Sequence, residues 1–193
     1  MTTFTDTLRT RALQPVVEDE RVGTVLGVLA FVVMTALSAQ VAVHLPWTPV
    51  PVTLQPLLVV LAGVILGARA GAGSMVAYVT IGALGAPVFS NGGAGLPWLL
   101  GPTGGYLLAA PAAAFLAGVI AGKGRSALRL LAGLGLGVVT MYVGGVLQLA
   151  ASGIGIGEAI SLGAVPFWVG DVTKILFAFF TVRSLQRVRG ART

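Results

Sequence analysis

Residues 130–151 read LLAGLGLGVVTMYVGGVLQLAA, a run of 22 residues without one charged side chain. A helix needs about 20 apolar residues to cross the hydrocarbon core of a bilayer, and this run is long enough. Strands with open edges are excluded from lipid because their backbone groups would lack hydrogen-bond partners. The run also lacks the polar–apolar alternation of a barrel strand. It therefore predicts a transmembrane α-helix.

The composition of the whole chain agrees with a membrane protein. Hydrophobic residues make up 56% of the 193 residues and charged residues only 9%, against about a quarter in a typical soluble domain. Mean hydropathy is +0.95. So few charged residues cannot keep a folded protein of this size in solution. The composition therefore excludes a soluble enzyme and a disordered linker. The chain has no cysteine and a single histidine, His44, so a disulfide framework and a multi-histidine metal site are excluded as well.

Five further apolar runs accompany the first. We predict six transmembrane helices, over residues 24–45, 54–67, 70–88, 103–122, 130–151 and 163–185. The second run has only 14 residues, short enough to be re-entrant instead of spanning. A cleaved signal peptide is the less favoured interpretation of the first run, because the tail before it is long and carries three acids at residues 18–20.

The positive charges favour a spanning second run. Eleven of the twelve lysines and arginines lie before run one, between runs two and three, between runs four and five, or at the end of run six. They are Arg9, Arg11, Arg21, Arg69, Lys123, Arg125, Arg129, Arg183, Arg187, Arg189 and Arg192. If all six runs span, all eleven lie on one side, which the positive-inside rule identifies as the cytoplasm.

The charge pattern therefore predicts an all-α integral membrane protein, a compact bundle of six transmembrane helices with both termini cytoplasmic. We expect a cytoplasmic tail over residues 1–22, a membrane domain over residues 23–185 and a basic cytoplasmic tail over residues 186–193. The opposite connections, over residues 44–53, 87–102 and 152–162, contain no lysine or arginine.

The twelfth cation, Lys174, lies inside the sixth run, and Asp171 precedes it by three residues. At that spacing the two side chains share one helix face and can meet. Asp171 is eight residues from the start of the run, which places the pair deep in the bilayer. Charges there are costly and usually mark a functional site. Two alternatives are a neutralising pair that only stabilises the bundle and a proton relay, although a lone carboxylate would suit a relay better.

Two connections on the side without cations are unusual. The first outer segment, residues 45–56, reads LPWTPVPVTLQP, and its four prolines make it stiff and extended. The second outer segment, residues 87–106, reads PVFSNGGAGLPWLLGPTGGY and is free of charge and rich in glycine. Glycine permits close backbone approach and loop movement. Together the two segments predict a binding site on the outer side.

Four short motifs carry a resemblance to a known family. They are VPVTLQ at residues 50–55, GALGAPVF at 82–89, GPTGGY at 101–106 and PFWVGDVTK at 166–174. In this order and in a six-span chain, they resemble the BioY family, the biotin-specific substrate-binding (S) components of energy-coupling factor (ECF) vitamin transporters. The resemblance implies a high-affinity biotin-binding protein in the cell (inner) membrane of a bacterium or archaeon. It also implies that the protein functions together with a transmembrane coupling subunit and two ATPases.

Biotin chemistry fits the charge pair. We expect Asp171 to accept hydrogen bonds from the ureido N–H groups and Lys174 to donate to the ureido carbonyl, with Asn91 adding a polar contact. The reverse pose, with Lys174 on the carboxylate, stays open. The predicted substrate-binding residues are Asp171, Lys174, Asn91, Phe89, Tyr106, Thr53, Gln55, Thr103 and Trp98. No cofactor is expected, because the chain lacks a GxxxxGK[ST] phosphate loop and ATP would be used by the partner subunits alone.

The expected docking face lies on the first helix. S components of this family tend to show an Ala-x-x-x-Ala pattern there, and the nearest pairs in this chain are Thr35 with Ala39 and Ser38 with Ala42. Small residues at this spacing let helices approach closely.

Three other functions compete with vitamin capture. They are a self-sufficient secondary transporter with Asp171 as proton carrier, a membrane enzyme, and a structural membrane subunit. The lack of a second intramembrane acid argues against the enzyme.

Overall fold

The computed structural model describes residues 20–122 and 126–190, and for residues 20 and 188–190 the backbone alone. Most of the predicted N-terminal tail, with Arg9 and Arg11, lies outside the described residues. So do Lys123, Arg125 and Arg192.

The described residues form helices, with one isolated bridge between Val43 and Val52. The α-helices are α1 (Glu20–Gln40), α2 (Gln55–Leu66), α3 (Ala68–Ala83), α4 (Leu96–Leu99), α5 (Gly104–Ala121), α6 (Ala127–Ala151), α7 (Ile156–Gly163) and α8 (Trp168–Gly190). A single 3-10 turn covers Ser90–Gly92. The predicted all-α class is therefore confirmed.

Three of these helices are long and apolar enough to cross a bilayer alone: Arg21–Gln40 of α1, α5 and α6. A fourth crossing exists if α7 and α8, bent by 51° relative to each other, form one broken span. With 12 and 16 residues, α2 and α3 measure about 18 and 24 Å at 1.5 Å per residue, less than the ~30 Å hydrocarbon core. Length and composition thus support three or four spans.

The predicted uninterrupted helix over residues 163–185 is wrong. The chain leaves the helical path after Gly163 and resumes it at Trp168. Pro166 lies in this gap. Proline cannot donate a backbone hydrogen bond, and it pushes the residue before it away from helical geometry. Asp171 consequently lies in the first turn of α8 and not eight residues inside a continuous helix.

Glycines bring α2, α3 and α5 into backbone contact. Gly67 alone separates α2 from α3, and its φ of +85° is readily adopted only by glycine. A Cβ at Gly63 would stand 1.9 Å from the carbonyl oxygen of Ala114 in α5. A Cβ at Gly118 would stand 2.5 Å from the carbonyl oxygen of Gly63. The crossing of α2 and α5 is therefore possible only without side chains at these positions.

We expect Gly63→Ala to destabilise the protein by about 1–3 kcal/mol, because the new methyl group can be accommodated only by moving the backbone of α5. Gly73→Ala is the matched control, since beyond its chain neighbours and the nearby backbone of its own helix nothing lies within 4 Å of its virtual Cβ, and alanine favours helix. Thermal unfolding in detergent measures both. Equal melting temperatures for Gly63→Ala and the unaltered protein would contradict the packing described.

The predicted docking face is turned partly inward. Thr35 and Ala39 are fully buried (0% exposed) where α1 packs on α2 and α3. These two residues serve internal helix packing, so the prediction that they contact a partner needs correction. Ser38 and Ala42 are half-buried, and the Ser38 hydroxyl donates to the Thr35 carbonyl at 2.8 Å. Of the four residues of the predicted face, only Ser38 and Ala42 are partly exposed.

Candidate substrate-binding site

A cavity, called the main cavity below, lies between the first outer segment and the helices α2, α3, α5, α6 and α8. It contains about 710 Å³ of space free of atoms, part of it continuous with solvent. Its apolar wall includes Val50, Val59, Leu107, Val138, Met141 and Phe167. Its polar lining includes Thr53, Gln55, Tyr78, Ser90, Thr103, Tyr106, Tyr142, Asp171 and Lys174.

The two charged residues of the main cavity contact each other as their spacing predicted. Lys174 Nζ lies 2.7 Å from Asp171 Oδ1. The hydroxyl of Tyr142 on α6 donates to Asp171 Oδ2 at 2.5 Å. Asp171 is only 3% exposed, so a cation and a hydroxyl together compensate the burial of its charge. The carboxylate is therefore held in one orientation at the cavity wall.

The pair keeps unused hydrogen-bonding capacity. A carboxylate offers about four acceptor positions and an ammonium three donors. Within the pair, Asp171 uses one acceptor position on each oxygen and Lys174 one donor. Among the described residues that line the main cavity, these two alone carry charge, and their charges cancel. The site therefore suits a neutral ligand group that both donates and accepts.

The bend between α7 and α8 positions the pair. The Tyr106 hydroxyl on α5 donates to the Gly163 carbonyl at 2.5 Å, and the Thr48 hydroxyl donates to the Leu162 carbonyl at 2.7 Å. The Tyr106 ring occupies the space beside Gly145, where a Cβ would stand 2.0 Å from it. Asp171 lies in the first turn of α8, just after this anchored bend, an arrangement known from the broken helices of transporter sites.

A second chain of hydrogen bonds joins the two outer segments along the wall of the main cavity. The Thr53 hydroxyl donates to Gln55 Oε1 at 3.2 Å, and Gln55 Nε2 donates to the Tyr78 hydroxyl at 2.8 Å. That hydroxyl in turn donates to the Val88 carbonyl at 2.9 Å. Thr53 and Gln55, each 9% exposed, are thus fixed by α3 and by the second outer segment.

Six of the nine predicted site residues line the main cavity: Asp171, Lys174, Tyr106, Thr53, Gln55 and Thr103. The structure places the other three elsewhere. Phe89 is fully buried (0% exposed), stacked edge-on against Tyr78 with ring centroids 5.6 Å apart. Asn91 and Trp98 line a second cavity. Three members of the second outer segment therefore do not share the space around the charge pair.

The second cavity, called the loop cavity below, is lined by His44, Pro49, Pro51, Asn91, Pro97, Trp98, Gly101, Pro102 and Thr103. It contains about 420 Å³ of space free of atoms, part of it open to solvent. Asn91 Nδ2 lies 3.0 Å from His44 Nε2 across it. Pro51 and Thr103 line both cavities, so the two are neighbours that share a wall.

Sequence reasoning missed Tyr142 and Tyr78. Both lie inside apolar helices and bond to other site residues, Tyr142 to Asp171 and Tyr78 to Gln55. A tyrosine in an apolar run is a usable signal, because its buried hydroxyl normally requires a partner. Their partners lie 29 and 23 residues away, a separation that no local spacing reveals.

The sequence model of the BioY family matches residues 10–191. A relative from Pyrococcus horikoshii named "Probable biotin transporter BioY" is 41% identical over 82% of this chain and 93% of its own. "Biotin transporter BioY" from Thermotoga maritima is 37% identical over 78% of this chain and 89% of its own.

A solved structure is similar as well, that of the S component for biotin from an ECF-type ABC transporter. It superimposes with a TM-score of 0.81 at 26% identity, over 88% of this chain and 94% of the other. With motifs, helical architecture and relatives in agreement over most of its length, the chain belongs to the BioY family.

Proposed function

We propose that this protein binds biotin in the main cavity as the substrate-binding component of an ECF-type vitamin transporter. The observation that carries the proposal is the buried Asp171–Lys174 pair, oriented by Tyr142 at the wall of an otherwise apolar cavity. Relatives named as biotin transporters and a similar biotin S component support the choice of ligand. They also support a transporter in preference to an enzyme.

The ureido ring of biotin matches the free capacity of the pair. Two N–H groups meet the unused acceptor positions of Asp171, and the ureido carbonyl meets the unused donors of Lys174. Both are charge-assisted hydrogen bonds, which are shorter and stronger than neutral ones. The apolar wall around Val138, Met141 and Phe167 suits the thioether ring and the alkyl tail.

A carboxylate held by a cation and a hydroxyl suits binding better than proton transport. Asp171 accepts from both Lys174 and Tyr142, and protonation would disrupt this ion pair. The proposal therefore assigns the energy coupling of transport to partner subunits. These are a transmembrane coupling subunit and two ATPases that use ATP. The chain itself needs no cofactor, and it lies in the cell (inner) membrane of a bacterium or archaeon as a multi-pass protein.

The direct test is purification from cells grown with biotin, followed by native mass spectrometry. We expect a mass increase that corresponds to one biotin, and saturable heat release on titration of the ligand-free protein. Protein that carries no biotin and shows no binding heat would overturn the proposal. Biotin uptake by proteoliposomes that contain this chain alone would support the secondary transporter instead.

We also propose six spans with both termini in the cytoplasm. The helices α2 and α3 are shorter than the hydrocarbon core, so residues beyond the end of each helix would complete its membrane crossing. Because the chain has no cysteine, single cysteines can report on sidedness. Asn91→Cys should react with an impermeant maleimide from outside the cell, and Arg69→Cys only after permeabilisation. Both positions are exposed. Labelling of Arg69→Cys in intact cells would contradict this topology.

A further inference from the structure

Gln40, the last residue of α1, is hydrogen-bonded to the backbone of the second outer segment. Its Nε2 atom donates to the Phe89 carbonyl at 3.1 Å, and its Oε1 atom accepts from the Gly92 N–H at 3.0 Å. Nε2 also donates to the Ala36 carbonyl at 3.0 Å, which fixes the side chain on its own helix. The amide group therefore uses both its donor side and its acceptor side on one short stretch of backbone.

The turn between these two contacts belongs to the walls of both cavities. Ser90 lines the main cavity and is 4% exposed, and Asn91 lines the loop cavity. Asn91 and Gly92 both have positive φ, +55° and +70°, a conformation that is unfavourable for residues other than glycine. The hydrogen bonds from Gln40 offset part of that cost and keep the turn in its place at the cavity walls.

The other end of the second outer segment is held by a different glutamine. Nε2 of Gln148 on α6 donates to the carbonyls of Leu99 and Gly101, at 2.8 and 2.6 Å. A Cβ at Gly104 would stand 1.8 Å from the Leu99 carbonyl oxygen, so this end also packs directly on the start of α5. The segment is therefore attached to α5 and α6 at one end and to α1 at the other.

Of the three helices long enough to cross a bilayer alone, α1 is the least enclosed. Within an apolar stretch of 18 residues, 22% of α1 is buried inside the protein, against 50% of α5 and 44% of α6. Among the described elements, α1 contacts only α2, α3 and the 3-10 turn. Few buried contacts mean that α1 can shift at lower cost than the other two helices. Gln40 is itself exposed, so water can replace its bonds when the helix end moves.

We infer that Gln40 is a positioning residue for ligand exchange: it holds the Ser90–Gly92 turn at the cavity walls, and breaking its two bonds opens a path for the ligand. The inference rests on the proposed function. Gln40 lines neither cavity, so it acts through the turn and not by contact with the ligand. Its bonds are the same with and without ligand, and losing them should change the rates of entry and exit by the same factor.

The first measurement is the exchange of biotin by the full-length protein in detergent. Gln40→Leu removes both bonds at similar side-chain size. We expect its association and dissociation rate constants to rise about tenfold, the effect of losing two neutral hydrogen bonds, with the dissociation constant within about threefold. Gln40→Glu keeps an acceptor for the Gly92 N–H but no donor for the Phe89 carbonyl, and should give intermediate rates. Val41→Ala is the matched control, since Val41 follows directly, is 62% exposed and lines neither cavity.

The second measurement needs no ligand. Because the chain has no cysteine and Ser90 is buried, Ser90→Cys provides a single, protected thiol. We expect a maleimide to modify it about tenfold faster when Gln40→Leu is added. Equal labelling rates would overturn the inference, and so would a lowered melting temperature of Gln40→Leu with unchanged biotin exchange. Failure of the unaltered protein to bind biotin would instead overturn the proposed function.

Discussion

Asp171→Asn is expected to weaken biotin binding about tenfold to a hundredfold, which corresponds to roughly 1.5–3 kcal/mol for a lost charge-assisted bond. Asparagine keeps nearly the same volume and one acceptor oxygen. It cannot carry the negative charge that strengthens bonds from the ureido N–H groups. The Tyr142 hydroxyl can turn to accept from the new amide, because a hydroxyl both donates and accepts, so the surrounding helices should remain in place.

Affinity and stability must be measured separately for this variant. Calorimetric titration of the folded, monodisperse fraction gives the affinity, and a thermal melt of the same sample gives the stability. Thr173→Val is a suitable control on the same helix, since Thr173 is exposed, bonds only to the Val169 carbonyl and does not line the main cavity. Unchanged affinity in Asp171→Asn with a lowered melting temperature would remove Asp171 from the binding site and leave it a structural role.

Lys174→Met is expected to cost about 3–5 kcal/mol of folding stability, the usual result of removing one member of a buried ion pair. Asp171 is 3% exposed, so water compensates little for the lost ammonium. Tyr142 would remain its only side-chain partner among the described residues. Methionine preserves the length and apolar stem of lysine, which limits the loss to the charge and its hydrogen bonds.

The double variant Asp171→Asn/Lys174→Met makes this prediction sharper. It removes both charges, and replacing a whole buried pair is often close to neutral for stability. We therefore expect the double variant to recover most of the stability lost in Lys174→Met, yet to bind biotin poorly. Equilibrium unfolding in detergent–denaturant mixtures compares the three proteins. Equal stability of Lys174→Met and the unaltered protein would show that the ion pair contributes nothing to the fold.

Local pattern alone determined a large part of this protein. The uncharged run at residues 130–151 became α6, and the run at residues 103–122 became α5 with bounds one residue different at each end. Both follow from helix length and from the exclusion of unpaired backbone groups from lipid. The contact between Asp171 and Lys174 was predicted from a spacing of three residues, because neighbours on one helix turn must meet whatever surrounds them.

Only the tertiary structure decided which helix faces meet and which cavity each loop residue lines. Thr35 and Ala39 have the small-residue spacing of a docking face, yet they pack inside the bundle. Phe89 lies in the core, and Asn91 and Trp98 line the loop cavity. Tyr142 reaches Asp171 across 29 residues. Such contacts arise from close packing between segments distant in sequence, which depends on the shapes of all neighbours at once and on no local period.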